Sequence, residues 1–376
     1  MNEKNLNLIT ELRHELHAHA ELSGQELNTK KLLMDFISRN TSLEVVDKGR
    51  WFYAHLAESD PVVTLKRPIV FRAEMDALPM REKLDLSYAS LNPEAAHKCG
   101  HDGHCAALAG LALELEERAG TWERDIYLIF QHAEEIGDGG EECAALLKET
   151  DAEYVYAFHN WSGFPEHEVV VRSGIVQCAS KGFTICMEGT PSHASEPEHG
   201  RNPSAALAEL VLTLQEEVDE PGYKGMVMAT VVNVVIGSKD FGISASSGEV
   251  SLTLRAEHDR DLIMLEEEIR ERAEILADEQ GLKVFYEECD IFPETVNNAA
   301  AAEHVRNAAE KLGLDVSDLK ETIRGSEDFG YYLKECPGAI FYIGNGSAYP
   351  QLHTSEYDFN DRILGTAVDM FLNLIS

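Results

Sequence analysis

Basic residues are scarce in this chain: 32 Lys plus Arg stand against 67 Asp plus Glu in 376 residues, for a formal charge of −35. A polyphosphate is bound by a basic patch that displaces its counterions, so nucleic acid is excluded as a partner. Long apolar runs are missing as well. No uncharged stretch approaches the roughly 20 residues that cross a bilayer, and Met1 to Thr10 lacks the apolar core of a secretory signal. A membrane partner is therefore not expected. Seven cysteines occur (Cys99, Cys105, Cys143, Cys178, Cys186, Cys289, Cys336) without regular spacing. They do not form a disulfide framework, and a chain of this size folds without one; thiols fit a reducing cytoplasm. There is no internal repeat and no low-complexity segment, and 376 residues exceed what one core usually holds, so two domains are expected.

What is present is chemically dense. His97-Lys98-Cys99-Gly100-His101-Asp102-Gly103-His104 places a thiol, three imidazoles and a carboxylate in one short segment, and Gln131-His132-Ala133-Glu134-Glu135 follows. Thiolate and imidazole bind borderline-soft divalent ions once deprotonated. A structural zinc knuckle would need a second closely spaced Cys-x-x-Cys or His-x-x-x-His pair, which the chain lacks. The pattern therefore reads as a hydrolytic metal centre, with zinc, manganese, cobalt or nickel favoured over magnesium or calcium.

The periodicity gives the frame. Leu6, Ile9, Leu12 and Leu16 mark a helix, Lys30–Ile37 a second, His104–Glu117 and Glu141–Leu147 two more. Between them, apolar runs at Trp51–Leu56, Pro68–Arg72, Asp125–Phe130, Tyr154–Phe158 and Val169–Arg172 read as strands. Strands alternating with helices imply an α/β domain with a mostly parallel sheet, whose reactive residues collect at the strand ends. From 176 to 288 the pattern changes: Lys181–Glu188, Met226–Ile236 and Glu249–Glu257 read as strands, and Pro203–Val218 and Asp261–Gln280 as long helices. This predicts an inserted α+β domain, a four-stranded sheet with two helices, at 176–288, and a discontinuous first domain of 1–175 and 289–376. In the last segment Val296–Leu312 reads as a helix, Ala339–Ile343 as a strand and Asp361–Leu374 as a closing helix.

Cys99 and His101, one residue apart on a loop, can face one ion. His104 is expected to support rather than ligate, and Asp102 either orients a ligating histidine or caps the helix. Glu134 and Glu135, if extended, point to opposite sides, so one can bind metal while the other faces substrate. His159 follows an apolar strand, and His353 lies in the polar loop Leu352-His353-Thr354-Ser355-Glu356. Cys99, His101, Glu135, His159 and His353 make five protein ligands, enough for two divalent ions that share a bridge.

Six ordered motifs carry a resemblance: Arg72-Ala73-Glu74-Met75-Asp76-Ala77-Leu78-Pro79, Cys99-Gly100-His101-Asp102-Gly103-His104, Glu134-Glu135, Pro191-Ser192-His193-Ala194-Ser195, Gly325-Ser326-Glu327-Asp328-Phe329 and His353. Over essentially its whole length the chain resembles the amidohydrolase branch of the aminoacylase and carboxypeptidase-like metallopeptidases, which includes hippurate hydrolase and the hydrolases of indole-acetyl amino acid conjugates. The resemblance implies a binuclear metal site on those five ligands, zinc or manganese foremost, with Glu134 as general base and acid. It also implies that the inserted domain is a lid through which a homodimer forms, that His193 supports the developing oxyanion, and that Arg255 meets a substrate carboxylate. The implied activity is hydrolysis of the amide bond of N-acyl amino acids in the cytoplasm. The nearest alternatives are an N-acetyl-diaminopimelate-type deacetylase, a small dipeptidase, or a non-catalytic sensor, which would be expected to lack Glu134.

Three positions depart from the family pattern. Phe241 stands in Phe241-Gly242-Ile243-Ser244 where an asparagine would reach the substrate, Glu74 replaces an aspartate, and His132 replaces a small residue or proline. None is a proposed ligand, so hydrolysis is expected to survive, while Phe241 offers the substrate an aromatic surface in place of a polar contact.

Overall fold

The computed structural model describes residues 1–57, 66–218 and 222–375. They form two compact units: Met1–Val176, Thr295–Glu321 and Asp328–Ser376 make the first, and Gln177–Glu294 with Thr322–Glu327 the second.

In the first unit the parallel strands Ile126–Gln131, Ile69–Glu74, Tyr154–Ser162 and Gly338–Gly346 lie side by side in that order. Phe52–Leu56 and then Glu44–Asp47 extend the sheet at one edge, and Val169–Val170 and Val316–Ser317 extend it at the other, giving eight strands. Ile69–Glu74 is buried at every position, as a central strand covered on both faces must be. Its sequence is accordingly a continuous run rather than an alternation. The helix His101–Glu117 is buried from His101 through Leu115 because Glu3–Ala18, Leu27–Asn40 and Leu364–Leu374 all pack against it.

The helix expected over Val296–Leu312 begins only at Ala299, after a short strand at Thr295–Asn297, and two further boundary shifts bear on the site. The helix expected from His104 begins at His101, so His101 sits in its first turn. The strand expected to end at Phe158 continues through His159 to Ser162, because pairing with Gly338–Gly346 persists that far.

In the second unit an antiparallel sheet runs in the order Lys283–Phe292, Ala179–Glu188, Ser247–Ala256, Val227–Ile236. Val250, Leu252, Leu254 and Ala256 alternate inward and pack with Leu207, Leu210, Leu265 and Ile269 of the helices Ser204–Val218 and Asp259–Gln280. The strand the periodicity left unlocated is Lys283–Phe292, whose Glu287, Glu288 and Asp290 are exposed and carry no apolar alternation. The architecture is thus the α/β fold with a separate four-stranded α+β unit that the sequence implies. No helix among the described residues is long and apolar enough to cross a membrane.

At the C-terminal ends of the central strands, Arg72 is fully buried. Its Nε donates to Gln131 Oε1 at 2.9 Å, and its guanidinium pairs with Glu74 and with Asp328, the latter at 2.5 Å. Removing one partner of a buried ion pair leaves the others uncompensated. Arg72→Met should therefore lower the unfolding free energy by about 3–5 kcal/mol, read by denaturant titration. A loss near zero would show that Glu74 and Asp328 are held by their other donors alone.

Candidate metal centre

Six side chains chosen from the sequence meet at the C-terminal end of the first unit's sheet. Cys99 Sγ lies 3.4 Å from His159 Nε2. His101 Nε2 lies 3.7 Å from Glu134 Oε2 and 3.8 Å from Glu135 Oε1, and the other oxygen of Glu135 lies 3.9 Å from His353 Nε2. Three overlapping sets, Cys99 with His101 and His159, Cys99 with Glu135 and His353, and His101 with Glu134 and Glu135, each keep their ligand atoms within 4.8 Å of one another. Gly100 makes the first turn possible. Its φ of 110° favours glycine, and a Cβ there would overlap Asn160 Oδ1 and lie 2.8 Å from the Tyr357 hydroxyl.

The imidazoles are aimed. His101 Nδ1 donates to the Asp76 carbonyl at 2.9 Å with the Asp76 carboxylate 3.3 Å away, and Nε2 is left buried without a hydrogen-bond partner among the described residues. His159 Nδ1 donates to the Asn160 carbonyl at 2.7 Å, turning Nε2 toward Cys99. Each ring is thereby turned so that Nε2 faces the cluster, where it can act as a lone-pair donor once any proton on it is displaced. His353 is tied to the cysteine loop by its amide, which donates to the Lys98 carbonyl at 2.8 Å. Burial disfavours charge on His101, but the Asp76 hydrogen bond and the charges of Glu135 and Glu74 outweigh it and drive the imidazole up to about 10. A field that retains a proton so strongly attracts any cation. Burial, with the neighbouring His104 and His101, keeps His159 well below its ordinary value and hence neutral. A thiol, two imidazoles with inward-facing Nε2 atoms and two carboxylates fit a divalent ion.

Several expectations are corrected here. Glu134 and Glu135 are not extended: they open a turn closed by Gly137 N on the Glu134 carbonyl and Asp138 N on the Ala133 carbonyl. Both carboxylates consequently approach one His101 nitrogen instead of diverging. Asp102 is not the N-cap, which is Gly100, but its Oδ1 accepts from the first-turn amide of Gly103 at 2.9 Å, and its Oδ2 accepts from His17 Nδ1 at 2.8 Å in a buried network with Arg13 rather than orienting a candidate ligand. The residue that orients His101 is Asp76, which the sequence reading left without a role although it follows a buried strand, where such residues collect. His104 does take a supporting place, bonding Glu74 at 2.8 Å and Asn160 Oδ1 at 2.6 Å. Glu74 reaches Arg72 and His104 together. His132 is buried, with neither ring nitrogen hydrogen-bonded among the described residues.

The second unit holds the other three candidates. His193 is exposed, and its Nδ1 accepts from the Ser195 amide at 3.1 Å, which puts the ring proton on Nε2. Phe241 is 94% exposed. Arg255 is half-buried and donates to the Arg324 carbonyl and to Ser326 Oγ, both at 2.9 Å. Burial lowers its pKa, and among the described residues no carboxylate raises it.

Residues 70–376 match peptidase family M20/M25/M40. The hippurate hydrolase of Campylobacter jejuni is 28% identical over 96% of this chain and 94% of its own length. The N-acetylcysteine deacetylase of Bacillus subtilis is 26% identical over 96% and 94%. Among solved structures, the YXEP protein of Bacillus subtilis, described as a dinuclear metal binding peptidase, shares the fold with a TM-score of 0.81 at 24% identity, covering 100% of this chain and 98% of that one. With its motifs in order and the match extending over most of its length, the chain belongs to peptidase family M20/M25/M40, the amidohydrolases and peptidases that use metal to hydrolyse amides.

Proposed function

We propose that the protein hydrolyses N-acyl amino acids with two divalent ions held by Cys99, His101, Glu135, His159 and His353. The carrying observation is the pair of buried imidazoles, His101 and His159, each with Nδ1 spent on a backbone carbonyl and Nε2 turned toward the cluster. The ligand sets overlap through Cys99, His101 and Glu135, which suits two neighbouring ions better than one. Thiolate with imidazole favours zinc, the carboxylates admit manganese, and cobalt or nickel can substitute. When bound, such ions polarise the amide carbonyl and make water more acidic. Glu134 accepts the water proton as the water oxygen bonds to the carbonyl carbon. It then delivers that proton to nitrogen as the C–N bond breaks, giving a carboxylate and an amino acid. His193 donates Nε2–H to the carbonyl oxygen as it gains charge, and Arg255, which no carboxylate engages among the described residues, receives the carboxylate of the amino-acid half. Relatives named for hippurate and N-acetylcysteine support an acylated amino acid as substrate.

We further infer a homodimer through the second unit. Val227–Ile236 is the edge of its sheet and exposes Val231, Val232, Val234 and Val235, an apolar edge that an isolated subunit would rarely leave uncovered. None of the seven cysteines forms a disulfide, in keeping with a cytoplasmic setting.

The roles of the adjacent glutamates separate by variant. Glu134→Gln should retain metal and lose about 10²–10⁴-fold in kcat, whereas Glu135→Gln should lose metal affinity first. Equal metal loss in both, measured by elemental analysis, would refute the division. Phe241→Asn should change relative kcat/KM among acetyl, benzoyl and longer acyl substrates at unchanged metal content; an unchanged profile would remove Phe241 from the substrate surface. Subunit exchange tests which His193 serves a given centre. If it comes from the partner subunit, Glu134→Ala and His193→Ala homodimers are inactive, but mixing them restores roughly a quarter of wild-type activity, since half the dimers are mixed and each has one intact site. Activity that stays at baseline despite proven exchange means that His193 acts within its own subunit.

A further inference from the structure

We propose that Glu26 is a positioning residue for Glu134, acting through the amide of Ala133; the proposal rests on Glu134 being the general base. Glu26 immediately precedes the helix Leu27–Asn40 and is buried. Its Oε1 accepts from Ala133 N at 2.8 Å and from Gly24 N at 2.8 Å. Ala133 has a φ of 51°, in the left-handed region that a side chain other than glycine rarely adopts unless its surroundings impose it.

On the other side of Glu134, the amide of Glu135 donates to Asp76 Oδ2 at 2.9 Å. The bonds internal to the turn use the carbonyls of Ala133 and Glu134, so the two flanking amides must find acceptors far away in sequence, and both find buried carboxylates. Ala133 and Glu134 are thus the two residues between these pinned peptide groups, and the peptide that joins them is itself held by Asp138 N on the Ala133 carbonyl. The direction in which the Glu134 Cα–Cβ bond leaves the backbone is set by those contacts, and a proton acceptor must lie within hydrogen-bond reach of the water it serves. Displacement by about 1 Å is enough to cost on the order of 10²-fold in rate. Asp76 also orients His101, so its loss would disturb the metal ligands and the base together. Glu26 is hydrogen-bonded to the Ala133 amide and to Gly24 N of its own loop, and to none of the proposed ligands among the described residues, which makes its contribution separable.

An acceptor oxygen is what the contact needs, not a negative charge. Burial and then the Asp76 charge push the Glu26 carboxyl up to about 7, so the bond to Ala133 must persist whether or not the second oxygen carries a proton. Glutamine should therefore replace Glu26, and alanine should not.

The test is a double-mutant cycle on the metal-loaded protein, assayed with an N-acyl amino acid. Glu26→Ala should lower kcat about 10–100-fold with KM and metal stoichiometry unchanged. Glu26→Gln should recover to within about fivefold of wild type, because its amide oxygen still accepts. In a Glu134→Gln background, Glu26→Ala should cost no more than about twofold further, since the group it positions is already gone. Glu26→Asp, which retracts the carboxylate by one methylene, carries the same comparison should the alanine variant not fold. Additive losses in the cycle, metal loss in Glu26→Ala, or failure of both shortened variants to give folded protein would overturn the proposal by making Glu26 structural. Wild-type kcat in Glu134→Gln alone would instead overturn the parent reading, and the positioning role with it.

Discussion

The centre depends on one buried aspartate. Asp76 gives its carbonyl to His101 Nδ1, and its Oδ2 accepts from the Glu135 amide and from Ser23 Oγ. Burial opposes its ionisation, yet the His101 hydrogen bond and charge and the Glu135 amide hold it below the usual carboxylate range. A single residue just past a central strand therefore holds the His101 ring through its backbone carbonyl and, through its carboxylate, the turn that carries Glu134 and Glu135 and the loop at Ser23.

Around Asp76 the fold arranges a second layer in which almost every buried charge has an opposite. Arg72 neutralises Glu74 and Asp328, His104 joins Glu74 to Asn160, and His17 bridges Asp102 and Glu82 beneath the same helix. Burial opposes charge on His17, but the hydrogen bonds to Asp102 and Glu82 raise it to about 9. The cluster at Cys99, His101, Glu134, Glu135, His159 and His353 breaks this rule: negative potential converges on imidazoles whose Nε2 atoms face inward.

The centre was legible in the sequence because its chemistry is local. Cys99 and His101 lie one residue apart, Glu134 and Glu135 are adjacent, and each group follows or opens an element whose periodicity is plain. The strands that carry no periodic signal were harder: Lys283–Phe292 is largely polar and exposed, so only its pairing with Ala179–Glu188 defines it. Asp76, Glu26 and the true partner of Asp102 escaped for another reason. Each acts across 25 or more residues of sequence, 25 from Asp76 to His101, 107 from Glu26 to Ala133 and 85 from His17 to Asp102, and spacing along a chain says nothing about such pairs. The extended geometry expected for Glu134 and Glu135 failed because the strand stops at Gln131, and once the ladder ends a turn decides where side chains point.

Strain marks where those distant contacts matter. Among the described residues other than glycine, five have positive φ, and two of them, Ala133 and His353, flank the centre from two loops. Such a conformation costs of order 1–3 kcal/mol per residue and persists only where long-range bonds over-determine it. Here those bonds are Ala133 N to Glu26 and His353 N to the Lys98 carbonyl. The first unit therefore carries backbone cost at the two loops that bring Glu134, Glu135 and His353 together. Metal binding and local order in the first unit are then linked quantities, since a ligand that binds only the ordered centre stabilises that order in proportion to its affinity.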